Sequence, residues 1–438
     1  MKSPVVVVGA GFAGLSAASL LAERGVEVLV LDARPRLGGR ATAFEDRETG
    51  ELVDNGQHVM FGCYRETLAF LSRIGAGVNV QTQPTLEIPF IGRDGHHSVL
   101  RCPSWLPAPL HLLGGILGWR GLPLRDRLSA LRLAPALRAP AATSGQSVAQ
   151  WLRAHGQRDG LITAFWEPLA VAALNQPIDQ AAAAPFARVL AEMFGPDRTA
   201  ASLVLPATPL HDMYAEPARL FIERHGGGVR TGARARLIAD DTGVTGVDVR
   251  GERIAATSVV AAVPWHALRT LFAAPPSALS ATIASAAAMA SMPIVTVNLW
   301  YDRVVMDEPF IGLTGRTVQW VFDKRRVFGE KASHLSLVVS AAESLATLTR
   351  DELVAIAVRE VAEALPAARA AALTRATVVR EKQATFSLSP GQPERPPNRT
   401  PVPGLVLAGD WTDTGLPGTI ESAVRSGHAA ADVIIGAE

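Results

Sequence analysis

Val5-Val-Val-Val-Gly-Ala-Gly-Phe-Ala-Gly14, followed by Val26-Glu-Val-Leu-Val-Leu31 and Asp32, is the stretch that decides the fold. The valine run predicts a buried strand ending on Gly9, and an alanine-rich helix starts at about Phe12. Gly9 permits the tight turn, and Gly11 lets a pyrophosphate approach bare backbone. Gly14 lets the helix pack close to its strand. The helix N-terminus then aims amide groups and partial positive charge at the phosphates. The second strand delivers Asp32 where a carboxylate accepts hydrogen bonds from an adenosine ribose. A glycine fingerprint alone is weak. Flanked by its strand, its helix and the distal acid, it predicts dinucleotide binding.

Composition narrows the function classes. At 438 residues the chain exceeds one ordinary core and predicts about two domains. A net charge of +1 without a basic cluster gives no electrostatic case for nucleic acid. The lysines are Lys2, Lys324, Lys331 and Lys382, so arginine carries most of the positive charge. With Cys63 and Cys102 as the two cysteines, neither a disulfide framework nor a cysteine metal site is expected, and a reducing, cytoplasmic setting fits. The first strand begins at once, leaving no room for a signal peptide. Two uncharged stretches, Cys102 to Trp119 and Thr270 to Tyr301, are broken by prolines and are not read as membrane spans.

Farther on, Leu37-Gly-Gly-Arg40 places an arginine within reach of phosphate or cofactor polar atoms, and Asp54-Asn-Gly-Gln-His58 is a polar turn with Gly56 offering open backbone. Helical spacing runs from Tyr64 to Ile74. Alternating runs at Arg234 to Ile238, Val244 to Val249 and Ser258 to Ala262 read as a β-meander. Near the far end, Leu405-Val-Leu-Ala-Gly-Asp410 reads as a buried strand, and Gly418-Thr-Ile-Glu-Ser-Ala-Val424 opens a helix. Two ligand-facing helix starts in one chain suit a cofactor with two ends, as FAD has. Asp410 is placed to bind its ribityl or a phosphate-linked hydroxyl. The helix start near Gly418 is placed to face the ring edge where charge accumulates on reduction.

These residues resemble the flavin-dependent amine oxidase and phytoene desaturase superfamily, whose motif order is followed by GAGFAG, LGGR, DNGQH, AVP and GDWTDTGLPGTIESAV over essentially the whole chain. Within it, DNGQHVMFGCY (Asp54–Tyr64), FWEPLAVAALNQP (Phe165–Pro177), PIVTVNLWYDR (Pro293–Arg303) and GDWTDTGLPGTIESAV (Gly409–Val424) resemble the bacterial hydroxysqualene dehydroxylases of squalene and hopanoid synthesis. The resemblance implies an α/β fold. A discontinuous Rossmann-like FAD-binding domain with a β-meander (1–80, 205–265 and 400–438) accompanies a mixed α+β substrate domain (81–204 and 266–399). It implies FAD contacts from Ala10, Gly11, Phe12, Ala13, Gly14, Asp32, Gly39, Arg40, Gly56, Gln57, His58, the backbone near Ala235, Asp410, Gly418, Thr419 and Ile420. Asp32 stands where the family more often has glutamate. No lysine occupies the Pro293 to Tyr301 strand, and Thr419 stands where amine oxidases often place an aromatic cage residue. A cationic amine would want that cage, so these departures favour a long apolar isoprenoid substrate.

The implied reaction replaces an allylic hydroxyl by hydride from reduced FAD, giving squalene and water. It needs a dry apolar site with one proton donor. Acids in apolar sequence are the candidates, since burial keeps a carboxyl protonated. Glu167, within Phe165-Trp-Glu-Pro-Leu169, comes first and Asp212, within Leu210-His-Asp-Met-Tyr214, second; the competing role for each is a helix cap or ion pair. Segment 103–140 mixes Trp105, Leu112, Leu113, Ile116, Leu117 and Trp119 with Arg120, Arg125, Arg127, Arg132 and Arg138. That suits a helical lid, an interfacial dock on the cytoplasmic face of the inner membrane, or both. The sequence names no electron donor for the flavin. An oxidative desaturase of squalene or carotenoid precursors stays open beside the dehydroxylase, with an amine oxidase or a non-catalytic prenyl-binding escort behind.

Overall fold

The computed structural model describes residues 3–138 and 145–437, so residues 139 and 140 of the 103–140 segment lie outside it. Among the described residues, a parallel sheet runs in the order Gly228–Arg230, Val28–Leu31, Val5–Val8, Val259–Ala261, Leu405–Leu407. Its central strand is apolar at every position because both faces are covered, as a parallel sheet requires. Val5 and Val7 pack among the helices on one face, and Val6 and Val8 pack against the other face's cluster.

The helix face is built by Phe12–Glu23 and Ile420–Ile435, from opposite extremities of the chain. Gly427 sets their separation: a Cβ there would lie 2.3 Å from Ala13 O and 2.2 Å from Ser16 Oγ. On the opposite face lies an antiparallel meander, Ala235–Asp240, Gly243–Val249 and Glu252–Ala255. Its third strand corrects the sequence expectation. The run from Ser258 to Ala262 belongs instead to the parallel sheet, between Val5–Val8 and Leu405–Leu407. Val259, Val260 and Ala261 are wholly buried, so their uninterrupted apolar character marked a central strand.

A second sheet of mixed direction is ordered Leu373–Phe386, Ser291–Tyr301, Ser333–Val339, Trp320–Asp323, Phe310–Leu313, Glu87–Ile91, His97–Arg101. Val295, Val297 and Leu299 face the helix Arg350–Ala364, which a capping box from Thr349 and Glu352 starts. The other face carries Ile294, Phe322, Val338 and Phe90 into a separate apolar cluster under helices Glu167–Leu174 and Ala183–Met193.

The hairpin Ala43–Glu45 and Leu52–Asp54 is tied to the second sheet. Asp46 accepts from Arg375 Nη2 at 2.7 Å and Thr377 Oγ1 at 3.0 Å. Trp300 Nε1 donates to Glu51, and buried His334 stacks on Trp300 while contacting Glu330 and Asn298. These ties fix the turn from Asp54 to His58 that follows the hairpin. Among the described residues, no helix is long and apolar enough to cross a membrane.

Candidate active site

The two helix starts and the hairpin turn meet at one cavity of about 590 Å³. Every residue assigned to the cofactor from the sequence lines it, except Gly14. Gly14 serves the fold instead, since a Cβ there would sit 1.8 Å from Gly9 O. Gly9 is also demanded by the chain: its φ is +109° and a Cβ would lie 2.3 Å from Ala262 O. Gly11 differs. A Cβ at Gly11 meets nothing nearer than 3.9 Å, and its φ of −86° suits any residue. The chain itself gives no reason for a glycine there, so the bare backbone is kept for a ligand.

Asp32 is 7% exposed, with Oδ2 accepting from Ala10 N at 2.7 Å and Oδ1 from Arg34 N at 2.8 Å. The carboxylate is thereby aimed across the turn, with lone pairs left for ribose hydroxyls. Tyr214 holds the neighbouring loop down. Its ring stacks on Phe12 at 3.6 Å, and its hydroxyl donates to Gly38 O at 2.8 Å and Ala41 O at 2.9 Å. Arg40 donates to Asp410 Oδ1 at 2.5 Å and to Ala384 O at 2.8 Å, with Trp265 beneath it. Burial works against the charge, but Asp410 outweighs it and holds the Arg40 pKa above its ordinary value. Thr419 caps the last helix by accepting from Ser422 N at 3.2 Å.

The charged residues on the lining, Asp32, Arg34, Arg40, Arg234, Glu381 and Asp410, belong to the cofactor end. The remainder is mainly apolar and aromatic, with Phe61, Leu86, Ile88, Phe90, Phe165, Leu169, Ile294, Phe310, Trp320 and Phe322, and it carries the polar side chains Asn55, Gln57, His58, Tyr64, Asn175, His266, Thr270, Ser340, Thr385 and Thr419. Ile294 shows that the Ser291–Tyr301 strand presents an alkyl group where the sequence lacked a lysine.

The structure places neither proton-donor candidate on the cavity wall. Asp212 is exposed, its amide donates to Pro209 O at 3.0 Å and its carbonyl accepts from Asn79 Nδ2 at 3.1 Å, and its carboxylate has no hydrogen-bond partner among the described residues. Its apolar neighbours Met213 and Tyr214 turn inward while its own side chain faces solvent. Glu167 is half-buried at the start of helix Glu167–Leu174, and burial with nearby Asp179 raises its pKa. Yet Pro168, Leu169, Ala172 and Ala173 of that helix line the cavity and Glu167 does not. Apolar sequence context thus led to a helix whose neighbouring residues line the cavity.

Other contacts at the site are seen only in the structure. Asn175 ends the same helix in the left-handed region (φ 51°), donates to Met292 O at 3.2 Å and Thr385 Oγ1 at 3.0 Å, and accepts from Ala341 N at 2.8 Å. Buried Glu421 accepts from the Glu66 and Thr67 amides, tying the last helix to the start of helix Arg65–Arg73. His58 Nδ1 donates to Gly56 O at 2.6 Å, leaving Nε2 as the free nitrogen, and burial lowers its pKa. Gln57 Nε2 is buried without a partner among the described residues.

Two helix N-termini and a buried acid around one end, with an oily chamber at the other, define a two-ended dinucleotide site opening onto an apolar chamber, the arrangement of a flavin oxidoreductase. The chain belongs to the flavin-containing amine oxidoreductase family, whose profile matches residues 12–435. It is an FAD-dependent oxidoreductase. It is 30% identical over 446 residues to hydroxysqualene dehydroxylase of Sinorhizobium fredii, covering 99% of each chain. It is 26% identical over 487 residues to the chloroplastic/chromoplastic zeta-carotene desaturase of Arabidopsis thaliana, covering all of this chain and 86% of that one. In fold it is similar to the crystal structure of an oxidoreductase from Methanosarcina mazei, with a TM-score of 0.77, 17% identity and full coverage of both chains.

Proposed function

We propose that this chain catalyses the reductive dehydroxylation of hydroxysqualene to squalene. The observation that carries the reading is the cavity's apolar end, free of charged side chains among the described residues, continuous with the cofactor end. Such a wall rejects a cationic amine and accepts a polyprene. The full-length likeness to a hydroxysqualene dehydroxylase supports the same substrate class.

When bound and reduced, FAD supplies the hydride. The chain does the rest. Phe165, Leu169, Ile294 and Phe322 exclude water from the reacting carbon. Tyr64 and Thr419 place hydroxyl groups where the wall meets the start of the last helix, and burial raises the Tyr64 pKa so that it stays protonated. These two line the wall beside the departing hydroxyl group as polar contacts, and the proton with which it leaves as water is taken up from solvent. Helices Leu110–Gly118 and Leu124–Ser129 expose Leu110, Leu124 and Leu128, with Trp105 79% exposed nearby and Arg120 and Arg125 beside them. We assign this surface to contact with an anionic membrane face, from which the polyprene is drawn.

The test is anaerobic incubation of the dithionite-reduced flavoprotein with hydroxysqualene, read by gas chromatography. Squalene formation is the expected result; recovery of unchanged hydroxysqualene refutes the reading. The likeness to zeta-carotene desaturases supports an oxidative second reading. Polyene absorbance developing when the oxidised enzyme meets squalene or zeta-carotene would favour it.

A further inference from the structure

Among the described residues, three that are not glycine adopt a positive φ: Asn175 at 51°, Ala341 at 53° and Arg250 at 55°. The first two are bonded to each other, with Asn175 Oδ1 accepting from Ala341 N at 2.8 Å. Both flank the cavity. Asn175 lines it at the end of helix Glu167–Leu174, and Ala341 follows the lining residue Ser340. Asparagine tolerates the left-handed region, but alanine is strained there, and such strain persists only where surrounding contacts over-determine it.

The Asn175 amide provides those contacts. It is 3% exposed, and Nδ2 donates to Met292 O at 3.2 Å and to Thr385 Oγ1 at 3.0 Å. The orientation of the amide is dictated by its partners, since a backbone N–H must meet its oxygen and a carbonyl must meet its nitrogen. One side chain thus ties the chamber helix to the strands Ser291–Tyr301 and Leu373–Phe386 and to the turn that follows Ser333–Val339.

The consequence falls on Thr385. Its hydroxyl oxygen accepts from Asn175, which leaves its one proton to be donated elsewhere. Thr385 is partly exposed and lines the cavity, so that proton is open to a ligand. The residue stands at the seam between the two ends of the site. Arg40 holds the adjoining Ala384 O at 2.8 Å, and a Cβ on Gly418 would lie 3.2 Å from Thr385 Cβ and 3.3 Å from Asp410 Oδ2. The cofactor end is on that side, and the chamber helix reaches Thr385 from the other through Asn175.

We propose that Thr385 binds substrate by donating a hydrogen bond to its hydroxyl oxygen, and that Asn175 is the positioning residue that aims it. The proposal rests on the dehydroxylation reading for the identity of its ligand. A polyprenyl alcohol brings one polar group into an apolar chamber, and burying that hydroxyl without a partner is costly. The carbon that bears it must stand at the seam to face the flavin. Thr385 gives a hydrogen bond there and transfers no proton.

The test measures binding to the oxidised, FAD-loaded enzyme, which has no hydride to give. Hydroxysqualene and squalene are titrated separately, the visible flavin spectrum reports each dissociation constant, and their ratio isolates the hydroxyl group. T385V keeps the side-chain shape and removes the donor, T385S keeps the donor, and N175G removes the amide while suiting the left-handed backbone. Losing one hydrogen bond should move the ratio against hydroxysqualene by roughly 3- to 10-fold in T385V, with T385S close to wild type. N175G should move it the same way, and N175G/T385V no further than T385V. A wild-type ratio in folded T385V overturns the proposal, whether or not N175G folds. A wild-type ratio in folded N175G beside a shifted T385V overturns the role of Asn175. A shifted ratio without squalene formation by the reduced enzyme counts against the proposed reaction alone.

Discussion

The division of labour among the fingerprint glycines is open to direct measurement. Gly14→Ala forces a Cβ to within 1.8 Å of Gly9 O and 3.1 Å of Ala262 Cβ, so backbone must move. Overpacking of this kind costs about 1–3 kcal/mol, and Gly14→Ala should lower the thermal midpoint of the apoprotein and of the FAD complex alike. Gly11→Ala has no contact within 3.9 Å and a permitted φ, so the apoprotein should stay within about 0.5 kcal/mol of wild type. Its effect falls on the ligand. Pushing the pyrophosphate away from the amides at the start of helix Phe12–Glu23 removes one charge-assisted hydrogen bond, worth about 1.5–3 kcal/mol. At about 1.4 kcal/mol per tenfold, FAD binding should weaken roughly 10- to 100-fold. Deflavinated protein titrated with FAD, followed by flavin fluorescence, gives the affinity, and circular dichroism of the apoprotein gives the stability. Wild-type affinity in Gly11→Ala would refute a phosphate contact at that backbone. An apoprotein destabilised as much as Gly14→Ala would show that the glycine serves the fold.

Glu167→Gln should keep squalene formation within a few-fold of wild type, because the carboxyl is off the cavity wall; a loss of 100-fold or more would restore Glu167 as the acid. Burial opposes ionisation of Asp46, but Arg375, the Thr49 and Glu48 amides and Thr377 outweigh it and hold its pKa below the ordinary 3.8. The sign follows: a depressed folded pKa gives stability that is complete above pH 3.8 and lost as pH falls below it. The difference in thermal midpoint between wild type and Asp46→Asn should therefore shrink on acidification below about pH 4, and a constant gap would contradict the Asp46–Arg375 anchor. Replacing Leu124 and Leu128 by serine should reduce co-sedimentation with anionic vesicles, and added salt should weaken the wild type; equal binding by both proteins would remove this surface as the dock.

The cofactor end was readable because it is local. A strand, three glycines and an acid lie within 32 residues, with Gly9 required by its positive φ and Gly14 by close packing of helix on strand, so neighbours in sequence define the turn. Gly418 and Thr419 were equally legible as a helix start. The acids were not. Asp212 and Glu167 sit in apolar words, but which way a side chain points on a helix depends on where neighbouring elements pack, and both turned away from the chamber. The Ser258 to Ala262 run was read as part of the meander because alternating and continuous apolar patterns converge in so short a strand.

The sequence alone determined the strand, turn and helix of the first glycines, the place of Asp32 at the tip of the next strand, and the chain's apolar content. Those follow from φ limits, hydrogen-bonding capacity and apolar content, which a residue carries wherever it stands. Only the tertiary structure decided that Arg40 meets Asp410 across 370 positions, that Gly427 brings two helix starts to one cavity, and that Lys324 reaches Gln57. Long-range partners are chosen by packing of whole elements, and no local pattern in the chain encodes that choice.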